Sequence, residues 1–237
     1  MGKIFDLNFM FSVVPGILAY LPVTLSLTFI ASLIGVVIGF GVALVRFFRI
    51  PYAQFFCKFY ISFVRGTPTL VQLLLVYYGL PIFLNGINAK FGTNFSVNSV
   101  PKLVFASIAL SVNAGAYMSE IIRSAINSVD AGQIEACYSV NMTAAQAMRR
   151  IILPQAFAVA LPPLGNSVIS MLKETSLVFN IAVVEIMAES KLIASRSFRF
   201  FEVYIVVSVI YWVCCMALER VLARTEESLR HYERNPA

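Results

Sequence analysis

Long apolar runs separated by short polar segments dominate the pattern along this chain. Continuously apolar stretches predict membrane-spanning helices, because crossing a bilayer takes about 20 apolar residues at helical rise. A lipid-facing barrel strand would alternate apolar and polar positions, and these runs do not alternate. The predicted spans are 17–45, 67–89, 102–122, 151–172 and 203–220.

Composition places the chain among integral membrane proteins. Hydrophobic residues make up 59% of its 237 residues and charged residues only 13%, which lies outside the range of soluble globular domains. No internal repeat and no Gly/Ser-rich linker divides the sequence. Residues 1–237 are therefore predicted to form one all-α transmembrane domain of about five helices, with a short interfacial helix before the first span.

Positively charged residues set the predicted orientation, because Lys and Arg concentrate at the cytoplasmic ends of spans. With the N-terminus outside and the C-terminus in the cytoplasm, eleven of the 18 basic residues lie at cytoplasmic ends. They are Arg46, Arg49, Lys58, Arg65, Arg123, Arg149, Arg150, Arg220, Arg224, Arg230 and Arg234. The opposite orientation is disfavoured. The net charge of +6 follows from this bias, so no nucleic-acid partner is needed to explain it.

The polar segment 127–153, between the third and fourth spans, predicts two short capped helices. Two residue pairs have the three-residue spacing of a reciprocal capping box. These pairs are Asp130 with Gln133 and Thr143 with Gln146. Asn141 lies between the helices and is one of the few residue types that tolerate the left-handed conformation of a helix C-terminus. We expect a cytoplasmic helix–turn–helix that docks on a partner protein.

A helix break is predicted between Arg65 and Pro68, where a glycine comes just before an X-Pro step. Such a break persists in a membrane only inside protein or beside a water-lined cavity. Polar residues in the neighbouring spans are candidates to line that cavity. The candidate pathway residues are Thr67, Pro68, Gln72, Asn113 and Glu120. Interhelical hydrogen bonding is the commoner use of residues such as Gln72 and Asn113.

Charged residues within the spans also admit structural interpretations. Glu120 has Arg123 three residues on, so pathway lining and ion pairing are equally open for its carboxylate. Lys173 and Glu174 end the fourth span, and a structural pair is the favoured interpretation there.

Two further patterns predict helix packing. Aromatic residues recur at three- and four-residue steps after the first span and predict an amphipathic helix with its aromatic stripe at the lipid interface. This stripe comprises Tyr52, Phe55, Phe56, Phe59, Tyr60 and Phe63. Gly35 and Gly39 in the first span have GxxxG spacing, which favours close contact with another helix.

No motif points to catalysis or to metal binding. The sequence contains no phosphate-binding glycine loop, and its single histidine, His231, lies in a polar tail. The four cysteines lack the spacing of metal ligands. We therefore expect no catalytic residue, no metal site and no enzymatic activity in this chain.

The stretch GQIEACYSVNMTAAQAMRRIILPQA resembles the EAA loop of permease subunits of ATP-binding-cassette (ABC) importers. The matching residues are Glu135, Ala136, Ile151, Leu153 and Pro154, whereas Cys137 and Asn141 replace an Ala and a Gly of that pattern. The segments FYISFVRGTP, NAGAYMSEIIRSAI and LPPLGNSVISMLKETSL extend the resemblance to the branch that takes up polar amino acids. The later KLIASRSF and YIVVSVIYW are similar to permeases of cystine importers.

The resemblance implies a multi-pass protein of the bacterial cytoplasmic (inner) membrane with the type I ABC importer permease fold, moving an L-amino acid, with cystine a candidate. The implied partners are two ATPase subunits, a second permease copy or a sister permease, an extracytoplasmic amino-acid-binding protein and membrane lipid. ATP and Mg would be held by the ATPase, so this chain itself needs no cofactor. The implied ATPase-coupling residues are Gly132, Glu135, Ala136, Asn141 and Pro154.

For the substrate, we expect Glu120 to hold the ammonium and groups near Thr67 to hold the carboxylate. Two rival functions use the same features. An ion-coupled secondary transporter also needs intramembrane carboxylates and broken helices, but five spans without repeat symmetry count against it. A membrane scaffold would use Glu120, Gln72 and the helix break as structure alone.

Overall fold

The computed structural model describes residues 6–93 and 100–234, which form ten α-helices and no strand. The predicted all-α class is therefore confirmed. A π-helical turn at Met148–Ile152 joins α7 to α8, and a 3-10 helix at Thr175–Ile181 follows α8. The helices are α1 (Leu7–Leu18), α2 (Leu21–Phe47), α3 (Ala53–Gly66), α4 (Thr69–Phe91), α5 (Lys102–Asn127), α6 (Ala131–Ser139), α7 (Ala144–Ala147), α8 (Leu153–Glu174), α9 (Ile186–Ser197) and α10 (Phe200–Arg234).

Five helical segments in the described residues are long and apolar enough to cross a membrane, as predicted. They are Leu21–Phe47, Thr69–Phe91, Lys102–Asn127, Ala144–Ile181 and Phe200–Glu227. The last three segments extend beyond the predicted ends into polar residues, where the backbone groups of a helix still find partners. The first segment begins later than predicted, at Leu21, because α1 ends at Leu18. That the N-terminal side is external stays a prediction from the charge pattern.

The short helix expected before the first span is α1, whose 12 residues are too few to cross a bilayer. The stretch before Asp6 lies outside the described residues. Asp6 caps α1 by accepting hydrogen bonds from the backbone N–H of Asn8 (3.1 Å) and Phe9 (3.2 Å). Arg199 donates to the other carboxylate oxygen at 3.1 Å. The ion pair thus ties the start of α1 to the start of α10.

The closest helix contact joins α2 to α5, as the spacing of Gly35 and Gly39 predicts. A Cβ on Gly35 would lie 2.6 Å from the Cβ of Ala114, and a Cβ on Gly39 would lie 2.9 Å from the backbone nitrogen of Ser119. No larger side chain fits at either position without moving α5. Small residues therefore let the two backbones approach directly, which is how packing stabilises helices where lipid replaces water.

Helix α5 lies at the centre of the bundle, and two thirds of its apolar, membrane-spanning stretch is buried. Its Leu110 belongs to a core cluster that also contains Leu27 of α2, Leu73 of α4 and Met171 of α8, all nearly inaccessible to solvent. The outward faces of α2, α3 and α10 remain apolar, with Phe29, Phe55 and Trp212 each more than half exposed. This distribution suits a bundle surrounded by lipid, where polar groups are sequestered between helices.

A buried carboxylate joins three elements beside α9, and the sequence pattern did not identify it. Glu185 is fully buried and caps α9 by accepting a hydrogen bond from the backbone N–H of Ala188 at 2.9 Å. The hydroxyl groups of Tyr211 on α10 and Thr24 on α2 donate to its other oxygen at 2.8 and 3.2 Å. Hydrogen bonds to both oxygens and the helix N-terminus together stabilise a carboxylate that no described cation approaches.

The α2–α5 contact makes a direct prediction. Gly35→Val should lower the free energy of unfolding by roughly 1–3 kcal/mol, because the added atoms overlap Ala114. Gly41→Val is the matched control on the same helix, since a Cβ there meets no atom within 4 Å. Thermal unfolding of the purified chain in detergent measures both. A Gly35→Val protein that unfolds at the same temperature as Gly41→Val contradicts the close contact.

Candidate functional site

The predicted break separates α3 from α4 at Thr67 and Pro68. Thr67 has extended backbone angles (φ −121°, ψ 147°), and Pro68 opens α4 with φ −62° and ψ 138°. Proline has no N–H, so the last carbonyls of α3 lose their helical partners. The side-chain amide of Gln72 replaces these partners by donating to the carbonyl oxygens of Val64 at 2.7 Å and Thr67 at 2.9 Å.

Asn113 of α5 extends this network across the helix interface. Its side-chain N–H groups donate to Oε1 of Gln72 at 3.0 Å and to Oγ1 of Thr69 at 3.4 Å. Both amide side chains are buried, with 6% of Gln72 and 2% of Asn113 exposed. The structure therefore brings Thr67, Pro68, Gln72 and Asn113 together, four of the five predicted pathway residues. Whether they contact a substrate stays a prediction.

Glu120 lies apart from these four residues, about 10 Å further along α5 from Asn113 at helical rise. Arg123 donates to its Oε2 at 2.9 Å, and Arg46 of α2 forms an ion pair with its Oε1. The first partner was predicted from the sequence, whereas the second was not. Both carboxylate oxygens are thus occupied by arginines in this conformation.

A cavity of about 300 Å³ opens between α5 and α8, and it is lined in part by Asn113, which hydrogen-bonds to Gln72 beside the helix break. Asn113 and Tyr117 line it from α5, and Asn166, Ser170 and Glu174 line it from α8. The residues from α8 recur every four positions, so they lie on one face of that helix. Hydroxyl, amide and carboxylate groups therefore converge on a space large enough for a small polar molecule.

Glu174 is the acidic residue that lines this cavity. Its Oε2 atom is buried and has no hydrogen-bond partner among the described residues. The predicted structural pair with Lys173 is not formed, because successive residues of a helix point in different directions. Lys173 lines a separate space with Tyr204 and Tyr211. A buried carboxylate oxygen without a partner is costly, which makes it a candidate to bind a cation.

A positive charge stands beside the same cavity. The Arg65 guanidinium stacks over the ring of Tyr117 at 5.5 Å, and Arg65 has no ion pair among the described residues. The charge pattern predicts Arg65 at a cytoplasmic end, which stays a prediction, and the observed contact places it beside Tyr117 of α5. Arg65 is exposed, so its guanidinium is accessible beside Tyr117.

The segment 127–153 folds as a helix, a sharp turn and a second helix, as predicted. Asp130 caps α6 by accepting from the backbone N–H of Gly132 at 2.6 Å. The reciprocal capping box predicted for Asp130 and Gln133 is wrong, because the Gln133 side chain instead accepts a hydrogen bond from Gln155 at 2.6 Å. This alternative bond ties α6 to the first turn of α8.

Asn141 forms the turn in the left-handed conformation, with φ at 61°, as its residue type predicted. The capping box of Thr143 and Gln146 is complete in both directions. The second helix is not a separate short element, however. It runs through the π-helical turn into α8, and Pro154, which has no backbone N–H, stands where the π-helical turn passes into α8. The segment is thus rigidly joined to a wall of the cavity.

The exposed face of α6 combines charged and apolar residues. Glu135 and Ala136 are exposed, as expected of residues that contact a partner, whereas Cys137 faces inward. Tyr138 and Val140 are also exposed, by 54% and 71%. Sequence reasoning missed these two residues, although large apolar side chains on a short polar helix are a usable signal for a protein interface.

Comparison with known proteins gives concordant matches. Residues 35–231 match the family described as binding-protein-dependent transport system inner membrane component. The chain is 45% identical over 208 residues to the probable amino-acid permease protein YxeN of Bacillus subtilis (strain 168), covering 88% of each chain. It is 41% identical over 230 residues to the L-cystine transport system permease protein TcyL of that organism, covering 97% of this chain and 94% of TcyL.

A solved structure has the same fold. It is the crystal structure of an amino acid ABC transporter with histidines, to which this chain is 38% identical with a TM-score of 0.81. The match covers 95% of this chain and all of the other, 100%. The type I importer permease fold expected from the sequence is confirmed by this likeness.

The helix break should depend on the Gln72 side chain. Gln72→Leu removes the donor to two buried carbonyl groups and the acceptor for Asn113, and each unsatisfied group costs about 1–3 kcal/mol. We expect a large loss of thermal stability in detergent. Gln155→Leu is the control, because Gln155 is exposed and bonds only to Gln133 and its own helix. Equal unfolding temperatures for the two variants contradict the role assigned to Gln72.

Proposed function

The chain belongs to the family of binding-protein-dependent transport system inner membrane components, and on that premise we propose that it is the permease subunit of an ABC importer that carries a polar L-amino acid into the bacterial cytoplasm. The geometry of segment 127–153 carries this proposal: a capped helix pair around a left-handed Asn141 presents Glu135 and Ala136 to a partner. Relatives named as amino-acid permeases support the substrate class.

The partners follow from this role. An ATPase and a substrate-binding protein belong to an importer of this family, since the permease itself provides only the pathway. We assign two ATPase subunits to the complex, together with a second copy of this chain or a sister permease. ATP and Mg are held by the ATPase, so catalysis of hydrolysis is external to this chain.

Docking would use the exposed face of α6. Tyr138 and Val140 supply apolar area, and Glu135 supplies a negative charge for a basic group on the ATPase. A short amphipathic helix that lies in a groove is a common mode of recognition. Gly132, Asn141 and Pro154 act indirectly, because they set the start of α6, the turn and the start of α8.

Helix α8 offers a path for transmitting motion. Its 22 residues span about 33 Å at 1.5 Å per residue, from the coupling segment to the cavity. Residues Asn166, Ser170 and Glu174 near its far end line the cavity. When ATP binding draws the two ATPase subunits together, the coupling segments move with them, and α8 shifts the cavity wall as a rigid body. Such a shift exposes the cavity to one side of the membrane at a time.

The charges around the cavity suit a zwitterion. The unpartnered carboxylate of Glu174 complements the ammonium group of an amino acid, and the Arg65 guanidinium beside Tyr117 complements its carboxylate. Asn113, Asn166 and Ser170 supply neutral hydrogen-bonding groups between them. Charge-assisted hydrogen bonds are stronger than neutral ones, so one negative and one positive group beside the cavity would favour a solute that carries both an ammonium and a carboxylate.

The expectation that Glu120 binds the ammonium competes with this assignment. Glu120 faces two arginines that neutralise it, so an incoming ammonium would have to displace one of them. Glu174 has no such competitor among the described residues. We therefore assign the ammonium to Glu174 and an ion-pairing role between α2 and α5 to Glu120.

Cystine remains a candidate substrate, because the chain is similar to TcyL over nearly its full length. An ion-coupled secondary transporter is not favoured, given the family match over residues 35–231.

Reconstitution with the ATPase and the binding protein in liposomes tests both the substrate and the energy source. Uptake across a panel of amino acids that includes cystine should require ATP and persist when ionophores collapse the ion gradients. Uptake that does not require ATP but depends on an ion gradient contradicts the proposal.

Two carboxylate variants separate the substrate assignments. Glu174→Gln should raise the half-saturating substrate concentration for stimulated ATP hydrolysis roughly 30-fold or more, because truncating a buried charge pair costs about 2–5 kcal/mol. Glu120→Gln should leave that concentration unchanged and lower thermal stability instead. Both measurements use the reconstituted complex. If Glu120→Gln shifts the concentration and Glu174→Gln does not, the ammonium belongs to Glu120.

The turn at Asn141 makes a separate prediction about coupling. Asn141→Val places a β-branched residue in the left-handed region, which costs about 1–2 kcal/mol, so retention of the ATPase should fall roughly five- to thirtyfold. Asn141→Gly should retain the ATPase fully, since glycine adopts this conformation freely. Co-purification with the ATPase measures both variants. Equal retention of the ATPase by the two variants is inconsistent with a docking role for this turn.

A further inference from the structure

An apolar groove of about 400 Å³ runs between α2, α5 and α8 at the end nearest the coupling segment. Its floor includes Ile126 of α5, and its sides include Leu164 near the middle of α8. Phe40 and Phe157 form the rim and are 37% and 54% exposed. The groove is therefore open sideways, toward the space that lipid occupies around a spanning bundle.

The mouth of the groove carries a positive charge. Arg149 lines the groove from the π-helical turn, and the adjacent Arg150 is also exposed. Neither arginine forms an ion pair with any carboxylate in the part of the chain that the structure describes. Glu120, two residues before the groove residue Ile122, already pairs with Arg46 and Arg123. The mouth of the groove therefore has net positive charge without an internal counter-ion.

We propose that this groove binds one anionic phospholipid, with an acyl chain along Phe40, Phe157 and Leu164 and the headgroup phosphate on Arg149. The apolar groove matches the acyl chain of such a lipid, and the charge of Arg149 matches its phosphate. Each buried CH₂ of an acyl chain contributes about 0.8 kcal/mol. Arginine pairs with phosphate through parallel N–H···O bonds, and basic pockets between spanning helices on the cytoplasmic side favour anionic headgroups.

The position of the site links the lipid to the moving parts. Arg149 belongs to the turn that joins α7 to α8, and Pro154 and Ala156 of the first turns of α8 also line the groove. A lipid held there contacts the segment between the partner-facing α6 and the cavity wall. π-helical turns inside helices occur frequently at functional sites. This inference does not depend on the identity of the transported solute.

Native mass spectrometry of the purified full-length chain tests the site. Phosphatidylglycerol is titrated against phosphatidylcholine with the same acyl chains. Wild-type protein should bind phosphatidylglycerol more tightly, and Arg149→Gln should weaken that binding roughly fivefold, the factor for one arginine near a lipid surface. Arg150→Gln is the matched control, since Arg150 is exposed beside Arg149 but does not line the groove. It should retain most of the affinity.

Soluble glycerol 3-phosphate is the third probe, because it carries the headgroup chemistry without an acyl chain. It should not displace phosphatidylglycerol. Three outcomes overturn the proposal: equal binding of the two lipids by the wild type, equal losses for Arg149→Gln and Arg150→Gln, or displacement by glycerol 3-phosphate. Equal losses indicate diffuse charge attraction, and displacement indicates a site for soluble phosphate. Both variants alter exposed side chains, so folding is expected to be preserved.

Discussion

Backbone polar groups in a lipid-surrounded bundle need partners inside the protein, and the break between α3 and α4 shows how this chain meets that constraint. Pro68 removes a donor, Gln72 supplies the replacement from its side chain, and Asn113 locks Gln72 to the central helix α5. The helix break is therefore stable inside the bundle. Because it is held against α5, it also fixes the position of Arg65 next to Tyr117 and of the cavity beside it.

Helix α8 connects three features that lie far apart in the sequence. Its start follows the capped segment, its first turns line the apolar groove, and its end carries the polar face of the cavity. In the proposed function, movement of a docked partner and occupation of the groove would both act on this one helix. Small residues at the α2–α5 contact hold together the two helices against which α8 packs.

Three carboxylates inside the bundle illustrate how environment separates similar groups. Glu120 lies between Arg46 and Arg123, which offset the cost of placing its charge inside the bundle. Glu174 has a buried oxygen without a partner and faces a cavity. Glu185 is fully buried but satisfied by a helix N-terminus and two hydroxyl groups. One of the three is thus available to a ligand in this conformation.

Local patterns in the sequence determined the all-α class, the five spans, the close face at Gly35 and Gly39, the break at Pro68 and the left-handed turn at Asn141. Each of these depends on hydrophobic run length, residue size or backbone preference within a few residues of the chain. The partners of charged and polar side chains were decided by the tertiary structure: Arg46 with Glu120, Gln133 with Gln155, and Thr24 and Tyr211 with Glu185. These contacts join residues from 22 to 161 positions apart, so no local periodicity encodes them. The unpartnered oxygen of Glu174 could not be predicted from the sequence either. Whether a buried oxygen has a hydrogen-bond partner depends on the positions of all the neighbouring helices.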